Sequence, residues 1–322
     1  MPDPYNFFNI NVHNYYFKCM NIYSKDNNIK SKNDYNIYKL GPINNNYNVL
    51  CLIDNFSIKI KDIFDRSPNS IVPGSLIKVN NFEILYKTYD NKNIVAKYLL
   101  KVNKFLHSNI ESIALKVIRI LEKDLNVYLN PYNFVLYRNL KINNNLINDK
   151  LFGIGSWNYH CDYDPPFKIK IFIYLSDVDE NKAPFEIIFH PEKKIYPKMI
   201  PFGDKLWEWG LINVNFDQNI DKPYFTNINN LQNVLIINPN TRVPKDIIQK
   251  LEKEGFIKKK IIGKKGTMFA CQAGLVHKAN VGIDSYRDIL VLECVPSTYK
   301  INKSNINLNN KDSKLFYENL YK

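Results

Sequence analysis

The sequence lacks several features that would place it in a familiar class. None of its five cysteines forms a CxxC pair, so we expect reduced thiols in a cytosolic protein and neither a zinc–thiolate site nor a disulfide framework. No apolar run approaches the 18 or so residues of a membrane-spanning helix. The N-terminal stretch has neither a basic segment nor an apolar core of the kind found in secretion signals. A cytoplasmic protein without a membrane span is therefore expected.

Apolar residues and positive charge are both plentiful. The 322 residues are 45% hydrophobic, which is enough for one sizeable core, and the net charge is +13. Such a charge is compatible with nucleic acid, but Asn, Lys, Ile and Tyr, whose codons are AT-rich, dominate the whole chain. The densest basic cluster, Lys258–Lys260 with Lys264 and Lys265, has no interleaved aromatics. It indicates a solvated hairpin more than a binding groove.

The hydrophobic period changes along the chain. Residues 1–90 are interpreted as short strands and loops, and residues 93–125 carry apolar side chains at helical steps of three and four. From residue 127 the period is two. A short helix is predicted over 244–254. The predicted strands are 133–142, 167–176, 184–189, 233–238, 256–262, 267–272 and 287–295.

Many short strands after a helical region favour a closed or sandwiched β-structure supported by helices, in an α+β fold. We expect a single domain over residues 1–322. Within it, residues 1–126 would form N-terminal strands and a helical buttress, 127–300 the β core, and 301–322 a polar C-terminal tail.

A metal-binding pattern begins at His160. Residues i and i+2 of a strand point to the same face, so His160 and Asp162 can present an imidazole and a carboxylate to one point. These are two of the three ligands of a 2-His-1-carboxylate site, which holds Fe(II) and leaves coordination positions open. An isolated His-x-Asp is weak support, and a histidine beside an acidic turn is the alternative.

His277 is the best candidate for a third ligand. It follows an apolar strand and a turn of small residues, 117 residues after His160. His13, His107 and His190 are less suitably placed, and His107 and His190 are interpreted as packing or turn residues. Arg287 lies ten residues beyond His277 at the start of a strand, where a guanidinium could bind a carboxylate with two hydrogen bonds.

Residues 130–296 resemble the phytanoyl-CoA dioxygenase-like branch of the Fe(II)/2-oxoglutarate-dependent oxygenases. The segments that carry the resemblance are HCDYDPPFKIKIFIYLSDVDENKAPFEII and GTMFACQAGLVHKANVGIDSYRDIL. The chain departs from the family's usual Asn-Gly-Pro, because it has Lys182-Ala183-Pro184 instead. The departures bear on the substrate pocket more than on the iron.

The resemblance implies a double-stranded β-helix, or cupin-like jelly roll, with iron at one mouth. His160, Asp162 and His277 would be the metal ligands, and Arg287 would bind the distal carboxylate of 2-oxoglutarate. The cofactors would be Fe(II), 2-oxoglutarate and O₂, and the reaction a hydroxylation that releases succinate and CO₂.

The substrate stays open at this stage. A small molecule, a lipid, a sugar and a peptide are all compatible with the sequence, as is any oligomeric state. One alternative is a jelly-roll protein that binds ligands or has a structural role without catalysis. The other is an oxygenase acting on nucleic acid, which is not favoured because no basic stripe with stacking aromatics is found.

Overall fold

The computed structural model describes the elements that surround the candidate site. It covers residues 41–43, 47–67, 75–88, 95–125, 127–142, 157–160, 162, 168–192, 199–201, 224–228, 231–237, 243–272 and 275–310. The helices of this part of the chain are α1 (Tyr47–Asp65), α2 (Lys104–Leu125) and α3 (Lys245–Lys253). Its strands are β1 (Gly41–Pro42), β2 (Leu76–Val79), β3 (Phe82–Thr88), β4 (Val95–Lys101), β5 (Tyr128–Asn139), β6 (Ile169–Tyr174), β7 (Phe185–Phe189), β8 (Met199–Pro201), β9 (Tyr224–Ile228), β10 (Leu231–Ile237), β11 (Ile257–Ile261), β12 (Met268–Gln272), β13 (His277–Ala279), β14 (Arg287–Ser297) and β15 (Asn309–Asn310).

The strands form one large and two small sheets. The large sheet has the order β1-β12-β6-β14-β5-β4-β3-β2, and β15 pairs with β5. The small sheets have the orders β11-β7-β13 and β8-β10-β9. Pairing is antiparallel except between β5 and β15 and between β8 and β10. Neighbours in the sheet are therefore often far apart in sequence, as when β14 lies between β5 and β6.

One face of the large sheet packs against α1 and α2. Alternate residues of β6, namely Ile169, Ile171 and Ile173, join this core, which includes Ile53 of α1 and Ile110 of α2. The periods of the two kinds of element explain the contact, since a helix and a strand each present one apolar face.

The opposite face of the large sheet packs against the sheet that contains β7. Phe172 and Tyr174 of β6 lie on this inner face, together with Ile289 of β14 and with Phe185 and Ile187 of β7. The core is thus enclosed between two sheets, with helices outside the larger one. The candidate site lies on the inner face.

Two N-terminal expectations are wrong. Residues 47–65 form α1, although residues 1–90 were expected to hold only strands and loops. Residues 95–101 form β4, although the helical pattern was expected to start at 93. Tyr98, Leu99 and Leu100 are all buried, so consecutive apolar residues here cover both faces of a strand, and the steps of three and four were coincidental.

The first part of the segment expected to be a polar tail, residues 301–310, packs on the rest of the protein. Ile301 and Leu308 are buried in the core with α2, and β15 adds to the large sheet beside β5. The Leu308 carbonyl lies 2.8 Å from Nε2 of His107, so a hydrogen bond from His107 helps to hold this segment against α2. Residues 311–322 lie outside the described residues.

Lysines 258, 260, 264 and 265 lie in the expected solvated region and are paired with acids. Lys258 and Lys259 are exposed on β11, and Lys260 is half-buried. The ion pairs are Lys258–Glu252 (2.7 Å), Lys260–Glu180 (2.6 Å), Lys264–Asp177 (3.0 Å) and Lys265–Asp54 (2.9 Å). Much of the local positive charge is therefore balanced within the chain.

The helices and the cysteines of the described residues bear on two further expectations. Among the described residues, no helix is both long and apolar enough to cross a membrane. Cys51, Cys271 and Cys294 are free thiols, while Cys19 and Cys161 lie outside the described residues.

Candidate metal centre

His160 and His277 are joined through their backbones. Each donates its N–H to the carbonyl of the other at 2.9 Å, which makes an isolated antiparallel bridge at the end of β13. Residues paired in this way project their side chains to the same side. The two imidazole rings accordingly lie 4.4 Å apart, and both residues are buried.

Both imidazoles are held by a backbone carbonyl at Nδ1. Nδ1 of His160 lies 2.8 Å from the Asn158 carbonyl, and Nδ1 of His277 lies 2.8 Å from the Leu275 carbonyl. A carbonyl only accepts, so each Nδ1 must carry the proton. In the neutral rings, Nε2 then carries the lone pair, which is the arrangement of a metal-binding histidine with an oriented second nitrogen.

Asp162 completes a group of three possible ligands. Its Oδ1 lies 3.9 Å from Nε2 of His160, and its Oδ2 lies 3.6 Å from Nε2 of His277. The ligand atoms of the three residues all lie within 4.8 Å of one another, and together they could hold a metal ion. The structure thus brings together the three residues that the sequence singled out.

Lys170 binds the same carboxylate. Its Nζ donates to Oδ2 of Asp162 at 2.7 Å, and its side chain is only 12% exposed. Burial alone would raise the pKa of Asp162, but the Lys170 ammonium, and the two histidines when they are protonated, hold this pKa well below its usual range. Asp162 is therefore a carboxylate under ordinary conditions, as a metal ligand must be.

Aromatic side chains line the interior next to the histidines. The ring of Phe185 stacks on His277 at 4.9 Å, and Phe172 stacks on Phe269 at 4.9 Å. Phe269 in turn meets Tyr174 edge to face at 5.5 Å. This wall fixes the orientation of His277 and gives the interior a low dielectric, in which charges interact strongly.

Arg287 lies beyond this wall, with its guanidinium enclosed. It is 2% exposed, and its Cζ is 5.8 Å from the ring of Tyr174. With the Asn139 amide turned so that its oxygen faces Arg287, that oxygen accepts from Nε at 3.2 Å and also from Nη2. Nη1 is buried and has no hydrogen-bond partner in the described part of the chain.

The acidic neighbours of Arg287 in sequence are bound elsewhere. Asp288 points to the opposite face, where Arg138 donates to both its oxygens at 2.6 and 2.8 Å. Asp284 accepts from Asn181 at 2.7 Å. Among the described residues, no carboxylate lies within 4.0 Å of Arg287. Nη1 of the enclosed guanidinium is therefore a donor for which the described residues offer no acceptor.

The remaining histidines of the described residues lie apart from this group. His107 contacts the tail, as described above, and His190 packs edge to face on Phe256 at 5.2 Å. Lys170, Asn139 and Phe185 were not singled out in the sequence. The alternation of β6 places Lys170 on the same face as Phe172 and Tyr174, and this pattern in the sequence could have indicated that Lys170 faces the interior.

No family model matches the chain, and no curated protein matches it in sequence, so its resemblance to the phytanoyl-CoA dioxygenase-like family is not confirmed.

Solved structures give weak matches. EctD from S. alaskensis with bound Fe matches with a TM-score of 0.41 and 9% identity over 81% of this chain and 74% of that one. SnoN, a non-heme alpha ketoglutarate dependent epimerase from nogalamycin biosynthesis, matches with a TM-score of 0.38 and 11% identity over 80% and 78%. HygX from Streptomyces hygroscopicus, with nickel, 2-oxoglutarate and hygromycin B bound, matches with a TM-score of 0.37 and 9% identity over 82% and 84%.

Proposed function

We propose that the protein is an Fe(II)- and 2-oxoglutarate-dependent dioxygenase that hydroxylates its substrate. The observation that carries the proposal is the convergence of two imidazole Nε2 atoms and one carboxylate within 4.8 Å. Both imidazoles have their Nδ1 atoms held by backbone carbonyls, and their Nε2 atoms lie 3.9 and 3.6 Å from the oxygens of Asp162. Two histidines and one carboxylate are the ligand set that holds Fe(II) in oxygenases and leaves positions open.

The site fits a dianionic cosubstrate as well as a metal. His160, Asp162 and His277 would hold the Fe(II), and Arg287 would bind the distal carboxylate of 2-oxoglutarate through the unpartnered Nη1. A guanidinium matches a carboxylate with two parallel hydrogen bonds, which a lysine cannot reproduce. Asn139 would fix the guanidinium from its other edge.

Iron, 2-oxoglutarate and O₂ together supply an oxidation that releases succinate and CO₂ and hydroxylates the substrate. The chain's own residues position and shield the site. The backbone bridge between His160 and His277 holds both rings without the metal. An apolar wall would limit the access of water and with it side reactions; it consists of Phe172, Phe185 and Phe269.

The proposal extends to the domain organisation, the fold, the family branch and the class of substrate. We take the chain as a single oxygenase domain whose two facing sheets form a double-stranded β-helix, within the phytanoyl-CoA dioxygenase-like branch. The substrate would be a small molecule, and the antiparallel sheets with helices outside them support the fold assignment.

Replacing Asp162 with alanine tests the ligand assignment. Asp162→Ala should lose most of its affinity for Fe(II), measured without oxygen, and should no longer form succinate from 2-oxoglutarate. Asp179→Ala, which removes an exposed carboxylate, is the matched control and should leave both unchanged. Both variants should keep their melting behaviour. Unchanged metal binding in Asp162→Ala would overturn the proposed site.

A further inference from the structure

His160 lies outside the regular strands and meets His277 through an isolated bridge. The bridge consists of two backbone hydrogen bonds of 2.9 Å. Hydrogen bonds between backbone groups contribute modestly to stability, because water takes their place when they open. Side-chain contacts that span the bridge can therefore add a large part of its stability, and with it fix how close the two imidazoles lie.

The register of the bridge places Tyr159 on the outer face of the small sheet. Because His160 is paired with His277, Tyr159 lies opposite Lys278, which pairs in turn with Glu186 of β7. Side chains alternate along a strand, so these three point away from the metal centre. Nζ of Lys278 lies 5.0 Å from the centre of the Tyr159 ring. The three side chains form a row across three neighbouring segments.

The phenol of Tyr159 reaches across β13 to β7, where it donates to Oε1 of Glu186. A phenol is protonated at neutral pH, so the tyrosine is the donor and the carboxylate the acceptor. Neighbouring strands lie about 4.8 Å apart, so this contact spans roughly 10 Å, or two strand spacings. It connects the segment of His160 to the strand beyond the one with which His160 is paired.

Glu186 is held in place by other donors. Its side chain is 5% exposed, and its Oε1 lies 3.4 Å from Nζ of Lys278. Nδ2 of Asn280 donates to Oε2 of Glu186 at 3.0 Å and to the Pro184 carbonyl at 3.1 Å. Loss of the phenol O–H would therefore leave the buried carboxylate with two partners. We accordingly expect Tyr159→Phe to fold.

The helix α3 packs behind both histidines. Tyr159 and Val276, which directly precede His160 and His277, are buried in one cluster with apolar side chains of α3. The Tyr159 carbonyl also accepts from the N–H of Val243, just before this helix, at 2.8 Å. The positions of the two ligand-bearing segments are thus set from the outer face, and the phenol is a polar contact within this packing.

We propose that Tyr159 is a positioning residue for the metal centre: its phenol, bound to Glu186, holds the segment of His160 against β13 and thereby fixes the distance between the two metal-binding imidazoles. The proposal rests on the metal site proposed above. Its consequence for the metal follows from populations, because the apparent affinity falls with the fraction of molecules in which the site is formed.

Amide hydrogen exchange in the metal-free protein tests the contact without the metal. In Tyr159→Phe the amides of His160 and His277 should exchange about tenfold faster, because a hydrogen bond to a charged acceptor is lost, while amides between β5 and β14 should not change. Tyr299→Phe, which removes a phenol O–H at an exposed position, is the control and should leave both amides unchanged. Unchanged exchange in Tyr159→Phe would overturn the proposal.

Glu186→Ala tests whether the carboxylate is the partner through which the phenol acts. Alone, Glu186→Ala should also speed exchange of the His160 and His277 amides. Added to Tyr159→Phe, it should change their exchange by less than about twofold, because the two residues share one contact. Effects that multiply would show that the phenol acts through another group, and the proposed contact would be wrong.

Calorimetry with Mn(II), which avoids turnover, measures the effect on the metal. Tyr159→Phe should bind Mn(II) at least about threefold more weakly, whereas Tyr299→Phe should bind it as the wild type does. Faster exchange with an unchanged Mn(II) affinity would contradict the positioning role and leave the metal site standing. If the wild type binds neither Mn(II) nor Fe(II), the proposed function falls, and the positioning role falls with it.

Discussion

Arg287 is enclosed, yet Nη1 has no partner in the described part of the chain. An unmade hydrogen bond to a buried charged group usually costs more than about 1 kcal/mol. A carboxylate ligand would recover this loss on binding. Burial raises the pKa of the neighbouring Tyr174, which stays neutral and donates to the Ile261 carbonyl at 2.7 Å.

Replacing Arg287 with lysine should separate charge from geometry. Arg287→Lys keeps the positive charge but loses the hydrogen bonds to Asn139 and the proposed pair of hydrogen bonds to the distal carboxylate. The affinity for 2-oxoglutarate should therefore fall by about tenfold or more. Titration with 2-oxoglutarate in the presence of Mn(II) measures the affinity. Arg66→Lys, at an exposed ion pair, is the control and should bind normally. An unaltered affinity in Arg287→Lys would mean that another residue holds the cosubstrate.

The sequence was informative about the site where spacing along a strand determines direction. His160 and Asp162 were expected to share a face by alternation, and they lie 3.9 Å apart although His160 forms only an isolated bridge. The opposite directions of Arg287 and Asp288 on β14 follow from alternation. The ion pair between Lys170 and Asp162 could not be derived in this way. The two residues are eight positions apart, and their contact depends on how the chain turns between them.

Among the elements, the strands after residue 127 were predictable because each has one face on a core. In β6 the isoleucines face the helices while Phe172 and Tyr174 face the second sheet. The hydrophobic period was misleading for β4, because apolar residues cover both faces of this strand. α1 was missed although Ile53, Phe56 and Ile60 recur at helical steps, since asparagines and short apolar runs obscure the pattern.

The segment that leads into the short β15 should contribute to stability. Leu308 just before it is buried against α2, so Leu308→Ala should lower the free energy of unfolding by about 2 kcal/mol, at the lower end for a buried leucine. Urea unfolding measures the change. Lys303→Ala, at an exposed position of the same segment, should have almost no effect. Equal midpoints for the two variants would show that the tail does not dock in solution.

At the scale of the whole molecule, folding and metal binding should be linked. The three proposed ligands come from two segments more than a hundred residues apart in sequence and meet only in the folded chain. A ligand that binds the folded state alone stabilises it, by about 2.7 kcal/mol when its free concentration is a hundred times the dissociation constant. Mn(II) should therefore raise the melting temperature, and a chelator should reverse the rise.

The control for this linkage is Asp162→Ala, whose melting temperature should not respond to Mn(II). An equal rise in Asp162→Ala would indicate that the metal stabilises the protein at some other place. The positive charge of the chain does not confuse the experiment, because the exposed lysines of the β11 region would bind anions rather than Mn(II).

The pairing of β14 with β5 limits how this chain can change over evolution. Arg287 lies opposite Asn139 on the inner face, and Asp288 lies opposite Arg138, which also binds Asp65 of α1 at 2.7 Å. Deleting or inserting one residue here would exchange the two faces. A carboxylate would then stand in the interior, and a guanidinium would confront Arg138. Homologous chains can therefore differ here by substitution, but we expect this end of β14 to tolerate no change in length.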